Sequence, residues 1–471
     1  MLSVSAVSQQ SGDMQSSFED FRRGLLDDFN NFRNDILADY AKFLDGVWVE
    51  YSGFKGQERN NTPKPELPPL VDPDSTPDTT PTKPGRSDDK PAVSPVKDTT
   101  PVALSNGGND FTFSYYGIEM QIPDVDIRLM ERLSKTKDFA EQWRMLDANP
   151  ASEQLIKNIS DLAKRHNFND YLTYDLAARY AVAKYPNISP SSRTSLVHYI
   201  MTHLGFDARI GVNGSGQALL MLPCKQTVYG YMFLVFDNAK YYVFVDPQEK
   251  LSMSDTRIST CQLPKAAANA SKIDLRLNPI NIPYKAKTYS VSHDGVEIHG
   301  EVNENLFPII YKYPQMPISD YAESELLPDL RRDVVAQLKA QLADKPTAEA
   351  VDALLQFVQS GFDYATDHQY HGFEKPYFFE EMLFYDKCDC EDRVVFYTYL
   401  LWNVLGVENH LLAYPGHESA SVTIPGKTRG DAYNYDGKTF LISDPTYIGA
   451  KTGMCMPNFK SKTPEIDHIY R

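Results

Sequence analysis

Residues 387–406, "KCDCEDRVVFYTYLLWNVLG", place two cysteines one residue apart at the mouth of an apolar run. Val394, Tyr397, Leu401 and Val404 recur at helical spacing on the face that carries Cys390, and Val395 and Trp402 widen it. That pattern predicts a buried helix closed by Gly406. Asp389 is placed to cap its start, with Glu391 and Asp392 in the first turn beside the positive end of the helix dipole. Cys390 then occupies the first helical position, where unpaired backbone N–H groups lower a thiol's pKa and can hold an oxyanion. Glu391 and Asp392 oppose the thiolate, so a reactive Cys390 needs a basic partner.

A partner follows downstream. In "LLAYPGHESASVTI" His417 opens an alternating stretch and shares a face with Ser419 and Ser421, opposite Ala420, Val422 and Ile424. In "GKTFLISDPTY" a strand ends at Pro445 with Asp444 as its last residue. A carboxylate there can fix the imidazole tautomer. The order Cys390, His417, Asp444 is evenly spaced, 27 residues per step.

The pieces "FVQSGFDYATDHQYHGFEKP", "DCEDR", "YPGH" and "DPTYIGAKTGMCMP" fall in order over residues 351–471. Together they resemble the transglutaminase-like, papain-related cysteine superfamily, and within it envelope-associated proteins of the Bacteroidetes group. The resemblance implies Cys390 as nucleophile, His417 as general base and acid, and Asp444 as orienter. It implies no cofactor and no metal. The Cys390 amide would form half of the oxyanion hole, with Gln369 and Tyr385 as candidates for the other half. Ser419 stands where many members carry an aromatic residue. Cys388 and Cys455 stand where small or polar residues are usual, either bridged at the rim of the site or as two free buried thiols. The implied activity is acyl transfer on amide substrates, as a peptidase, amidase or transglutaminase-type enzyme acting on a peptide or protein. The rival reading is a non-catalytic envelope binding or scaffolding protein. A zinc site from His368, His371, Cys388 and Cys390 is disfavoured, because C-x-C is poor zinc spacing.

The same pattern occurs earlier in the chain. "SSRTSLVHYIMTHLGFDARIGV" (191–212) matches "EDRVVFYTYLLWNVLGVENHLLAY" (391–414), and "VFVDP" (243–247) matches "LISDP" (441–445). β-rich lead-ins, "FTFSYYGIEMQI" and "KTYSVSHDGVEI", precede the two copies. The expected fold is therefore α+β, two tandem transglutaminase-like units behind a long N-terminal helix. The expected boundaries are 111–275 for the first unit, 276–350 for a β-rich lead-in and helix, and 351–471 for the unit with the triad. The first copy reads as degenerate: Ser189 or Ser191 lies where the thiol belongs, no histidine occurs in "ARIGVNGSGQALLMLP", and only Asp246 is retained. A serine without a base is no nucleophile.

Upstream, Phe18, Phe21, Leu25, Phe29, Phe32, Ile36, Tyr40, Phe43, Val47 and Tyr51 step by 3, 4 and 4 residues, which predicts one helix over 14–51 within a module of residues 1–58. Its stripe suits docking or self-association. Residues 59–110 are rich in proline, threonine, aspartate and lysine and predict an extended linker. The net charge of -16, with no long basic run, argues against nucleic acid as a main partner, and no stretch is apolar enough for a membrane span. The opening "MLSVSAVSQQSG" resembles the tail of a secretory signal more than a whole one, which points to a periplasmic, envelope or secreted location.

Overall fold

The computed structural model describes residues 40–59, 64–71, 100–105, 109–252, 254–262 and 271–471. The architecture is mixed α+β. β1 (Trp48–Ser52) and β2 (Ala103–Ser105) precede the hairpin β3 (Asp110–Tyr115) and β4 (Ile118–Pro123). Four helices follow, α1 (Thr136–Asp147), α2 (Ala151–Arg165), α3 (Asp170–Lys184) and α4 (Pro190–His203), and then strands β5 (Arg209–Asn213), β6 (Ala218–Pro223), β7 (Phe233–Phe236), β8 (Ala239–Phe244) and β9 (Arg257–Cys261). A second hairpin, β10 (Ala286–His293) and β11 (Val296–Asn303), opens the C-terminal half. Helices α5 (Leu306–Ile310), α6 (Ile318–Glu323), α7 (Pro328–Leu342), α8 (Thr347–Gly361) and α9 (Asp367–Tyr370) come next, with β12 (Asp363–Tyr364) between the last two. The chain finishes with β13 (Lys387–Cys388), α10 (Cys390–Leu405), β14 (Asn409–Tyr414), β15 (His417–Val422), β16 (Ala432–Tyr435), β17 (Lys438–Ile442) and β18 (Glu465–Tyr470).

Both β-rich lead-ins are two-residue hairpins. Tyr116-Gly117 and Asp294-Gly295 take positive φ at both turn positions, the geometry that matches strand twist. Each hairpin is followed by helices and then an antiparallel sheet. The first sheet runs β1-β9-β5-β6-β8-β7 and the second β16-β17-β15-β14-β18. Read from β9 and from β18, the order of the five shared strands is the same in both. One apolar core runs through both halves, joining Phe113, Leu176 and Ile200 to Leu354, Phe396 and Leu411.

The N-terminal region departs from the expected single helix. Residues 40–44 are helical, but the chain turns at Gly46 and residues 48–52 form β1, paired with the edge of β9. Trp48, Val49 and Tyr51 favour an extended backbone, and β9 offers unpaired edge groups for them. Tyr40 stacks on Trp143 at 4.3 Å and is within 3.0 Å of His198, so this end of the chain is built into the first half. The remainder of the expected helix, and its self-association stripe, lie outside the described residues. The linker also departs from expectation: residues 64–71 lie against the second half, where Val71 and Ile448 exchange backbone contacts through Val71 N–Ile448 O at 3.0 Å and Ile448 N–Pro69 O at 2.9 Å. No helix among the described residues is long and apolar enough to cross a membrane.

Candidate active site

α10 is apolar on every side and is buried through most of its length, as a core helix should be. It begins at Cys390 and ends where Gly406 takes φ 64°, a left-handed stop that glycine adopts at little cost. Its start is tied by the Asp392 carboxylate, which accepts from the Asp389 N–H at 2.9 Å and from the Tyr377 N–H at 2.8 Å. Arg393, fully buried, donates to the carbonyls of Gln359 at 3.0 Å and Phe362 at 2.7 Å, anchoring the helix to α8 and its exit. Ala420 and Val422 of β15 join the core that α10 fills, and the small Ala420 lets helix and strand approach.

His417 and Asp444 come together. Asp444 Oδ2 lies 2.7 Å from His417 Nε2, and both side chains are buried. Asp444 Oδ1 accepts from the Thr446 N–H at 2.9 Å, which fixes the carboxylate. The imidazole stacks on Phe459 with centroids 5.1 Å apart. With Nε2 directed at the carboxylate, Nδ1 is the nitrogen left for proton transfer.

Cys390 opens α10, which packs along β15, the strand that His417 opens. The thiol donates to Glu391 Oε2 at 3.2 Å rather than to the imidazole. Burial pushes the Cys390 pKa well up, the charges of Glu391 and Asp389 push it further, and Lys64 pulls against them. The resting thiol is therefore protonated and sealed, with 1 % of the residue exposed.

The largest surprise is what seals it. Arg59 reaches into the mouth of α10, meeting Glu391 at 2.6 Å, Glu418 at 2.9 Å and Glu374 at 3.3 Å. Lys64 meets Asp389 at 2.8 Å, Glu374 at 2.9 Å and Asp367 at 3.5 Å, and also contacts Glu391. The two cations hold the Glu391 carboxyl well below its usual range despite its burial. Burial raises Asp367, Asp389 and Glu418 well above theirs. Neither cation is recognisable in the sequence as part of the site. The available signal is the crowding of Asp389, Glu391 and Asp392 at one helix mouth, which demands a cation from elsewhere. The same carboxylates approach one another closely enough to hold a metal ion, in the sets Asp367–Glu374–Glu391 and Asp367–Asp389–Asp392 and, with the thiol, Asp389–Cys390–Glu391. The amino group of Lys64 contacts members of all three sets.

Gln369 is exposed, and its Oε1 accepts from the Thr366 N–H at 3.1 Å in the cap of α9. Tyr385 lies in an aromatic cluster with His371, 5.1 Å between centroids, and Tyr377, 5.0 Å. The Tyr364 hydroxyl, which burial makes harder to ionise, donates to the Pro65 carbonyl at 2.8 Å. Cys388 and Cys455 are separate buried thiols, so the rim carries no bridge: Cys388 faces Arg393 Nε at 3.3 Å and Cys455 packs with Leu412 and Ile442. His368 is exposed and His371 lies 2.5 Å from the Tyr377 hydroxyl, so neither joins Cys388 and Cys390 in a zinc site.

In the first half, Pro190 opens α4 where Cys390 opens α10, and Ala218 opens β6 where His417 opens β15. Asp246 is held by Arg193 in a buried pair at 2.8 Å and 3.0 Å, with no imidazole beside it. Ser189 caps α4 and Ser191 Oγ accepts from the Ala218 N–H at 3.3 Å, and among the described residues no imidazole pairs with either. Comparison with family models, with curated proteins and with solved structures finds no match to this chain.

Proposed function

We propose that the protein is a cysteine-dependent acyl-transfer enzyme acting on amide bonds, with Cys390 as nucleophile, His417 as base and acid, and Asp444 as orienter. The observation that carries this reading is the buried His417–Asp444 pair at 2.7 Å, with His417 at the start of the strand packed against the helix that Cys390 opens. In the reaction Sγ gives its proton to His417 Nδ1 and attacks the amide carbon, and the carbonyl electron pair moves to oxygen. The intermediate collapses with loss of the amine, which takes the proton from the imidazolium. Water or a second amine then attacks the thioester, and Sγ leaves as thiolate and is reprotonated. The resting hydrogen bond to Glu391 must first be exchanged for one to His417.

Three further parts of the proposal rest on the sequence and its resemblance to transglutaminase-like proteins. The matching strand orders support two tandem units of that kind, the first having lost its chemistry. The partner is a peptide or protein, and the location is the periplasm, the envelope or the extracellular space. A second reading, a non-catalytic binding protein, draws on the sealed thiol and on the first half, where Arg193 occupies Asp246.

The test is turnover of a mixed peptide library by the full chain, read by mass spectrometry for new termini, deamidation and crosslinks. Activity that disappears in Cys390→Ser and in His417→Ala supports the enzyme. Products that persist in Cys390→Ser, or no products from the unaltered chain, favour the binding protein.

A further inference from the structure

Residues 53–59 and 64–71 lie along both halves of the molecule as two parts of a strap. Phe54 pairs with Phe233 on the edge of β7, through Phe54 N–Phe233 O at 2.7 Å and Phe233 N–Phe54 O at 3.1 Å. Gln57 accepts from the Gly230 N–H at 2.9 Å. Gly56 lies so close to Gly230 that a Cβ would stand 2.5 Å from its carbonyl carbon. The strap then delivers Arg59 and Lys64 to the carboxylates around Cys390, and Pro65 covers Tyr364.

Apolar burial contributes little to its hold. Phe54 is 54 % exposed, Leu67 78 % and Leu70 67 %. Two cations and extended main-chain pairing fix it, which is how an extended peptide docks. The pocket they enter has more charge than they satisfy. Besides Arg59 and Lys64, Asp367 accepts from the Lys375 N–H at 2.7 Å, His368 lies 3.8 Å from Glu374 and the Cys390 thiol donates to Glu391, yet Asp389 Oδ1 and Glu418 Oε2 are buried with no hydrogen-bond partner. Glu374 also walls a cavity of about 280 Å³ between the two halves, lined by Tyr229, Tyr231, Tyr313 and Phe378 and by Lys312 and Lys375, the latter paired with Glu381. Carboxylates at the back and aromatic rings in front suit a lysine or arginine side chain, through its charge and its alkyl stem.

We propose that this carboxylate nest recognises a basic side chain of a peptide substrate, and that Arg59 and Lys64 of the strap occupy it in cis as a mimic of that substrate. The inference rests on the proposed function only in taking the cleft beside Cys390 as the peptide site. An occupied nest also explains a sealed thiol: the strap must leave before a carbonyl can reach Sγ.

The experiment measures fluorescence anisotropy of a labelled peptide copying residues 56–68, "GQERNNTPKPELP", with full-length Cys390→Ser protein. Two further backgrounds carry Gly56→Val, which lifts the strap at Gly230 and leaves every charge in place, or Arg59→Gln with Lys64→Gln. The peptide is expected to bind both altered backgrounds at least about tenfold more tightly than the unaltered strap, because a site occupied in cis lowers apparent affinity by its closed fraction. A peptide with glutamine in place of its arginine and lysine should not bind, and salt should weaken the charged peptide. Equal binding in all three backgrounds, or equal binding of the neutral peptide, overturns the proposal. So does calcium or magnesium chloride raising the Tm of the doubly substituted chain when the peptide does not, which assigns the nest to a metal. Turnover is read separately with Cys390 intact. Binding without turnover removes the proposed function alone, and turnover with no preference for basic peptides removes this inference alone.

Discussion

Glu391 sets the resting state of the thiol. Its carboxylate accepts the Cys390 hydrogen bond and also meets Arg59 and Lys64. A carboxylate in contact with a thiol disfavours the thiolate, so Glu391→Gln should shift the pH profile of Cys390 alkylation downward by about one unit. An unmoved or raised profile would show that the loss of cation binding outweighs the removed charge. Asp444→Asn should keep the fold but present the wrong imidazole tautomer, lowering kcat/KM on any peptide substrate by about 10⁴-fold. A loss below tenfold would place Asp444 outside the reaction. The meeting of His417 and Asp444 is legible in sequence because His417 opens a patterned strand and Asp444 follows closely on another. Arg59 and Lys64 are not, because they come from a proline-rich stretch over 300 residues away whose composition reads as unpacked.

At the scale of elements, the two hairpins, α10, the strand that His417 opens and β17 follow from alternation, turn residues and apolar periodicity, although β17 ends at Ile442, two residues short of the expected end at Asp444. The segment at 48–52 does not, because its aromatic spacing fits a helix while the free edge of β9 selects a strand. Long-range pairing of that kind leaves no local trace. The same applies to Arg331 of α7, whose guanidinium meets Glu380 at 2.7 Å and 3.1 Å in a fully buried pair. Glu380 also accepts from the Leu326 and Leu327 N–H groups at 3.3 Å and 3.0 Å, pinning the start of α7. Glu380→Ala leaves a buried arginine unpaired, so denaturant unfolding should register a loss of about 3–5 kcal/mol. A loss under about 1 kcal/mol, typical of a surface pair, would contradict this.

For the whole molecule, the two halves share one core and are crossed by one strap, so their stabilities should be linked. Burial also shapes the response to pH, with opposing signs. Desolvation lowers His198 to about 3. A histidine so depressed contributes stability at neutral pH that is lost as pH falls from about 6.5 towards its folded value. Asp467 is raised by burial to about 6 and works the other way: its contribution is present in acid and lost as pH rises through about 6. The net profile mixes these terms, so a single substitution is the cleaner test. His198→Gln removes one buried imidazole, and its destabilisation in urea should be smaller at pH 5 than at pH 7.5. A cost that does not change with pH would mean that His198 is not held neutral.

The central claim is that an imidazole delivered by β15 activates the Cys390 thiol at the mouth of α10. The most direct measurement is the rate of iodoacetamide alkylation at Cys390 against pH, followed by peptide mass mapping, for the unaltered chain and for His417→Ala. The account predicts that the unaltered chain has a neutral-pH component of alkylation that His417→Ala lacks. Equal rates at every pH would contradict it.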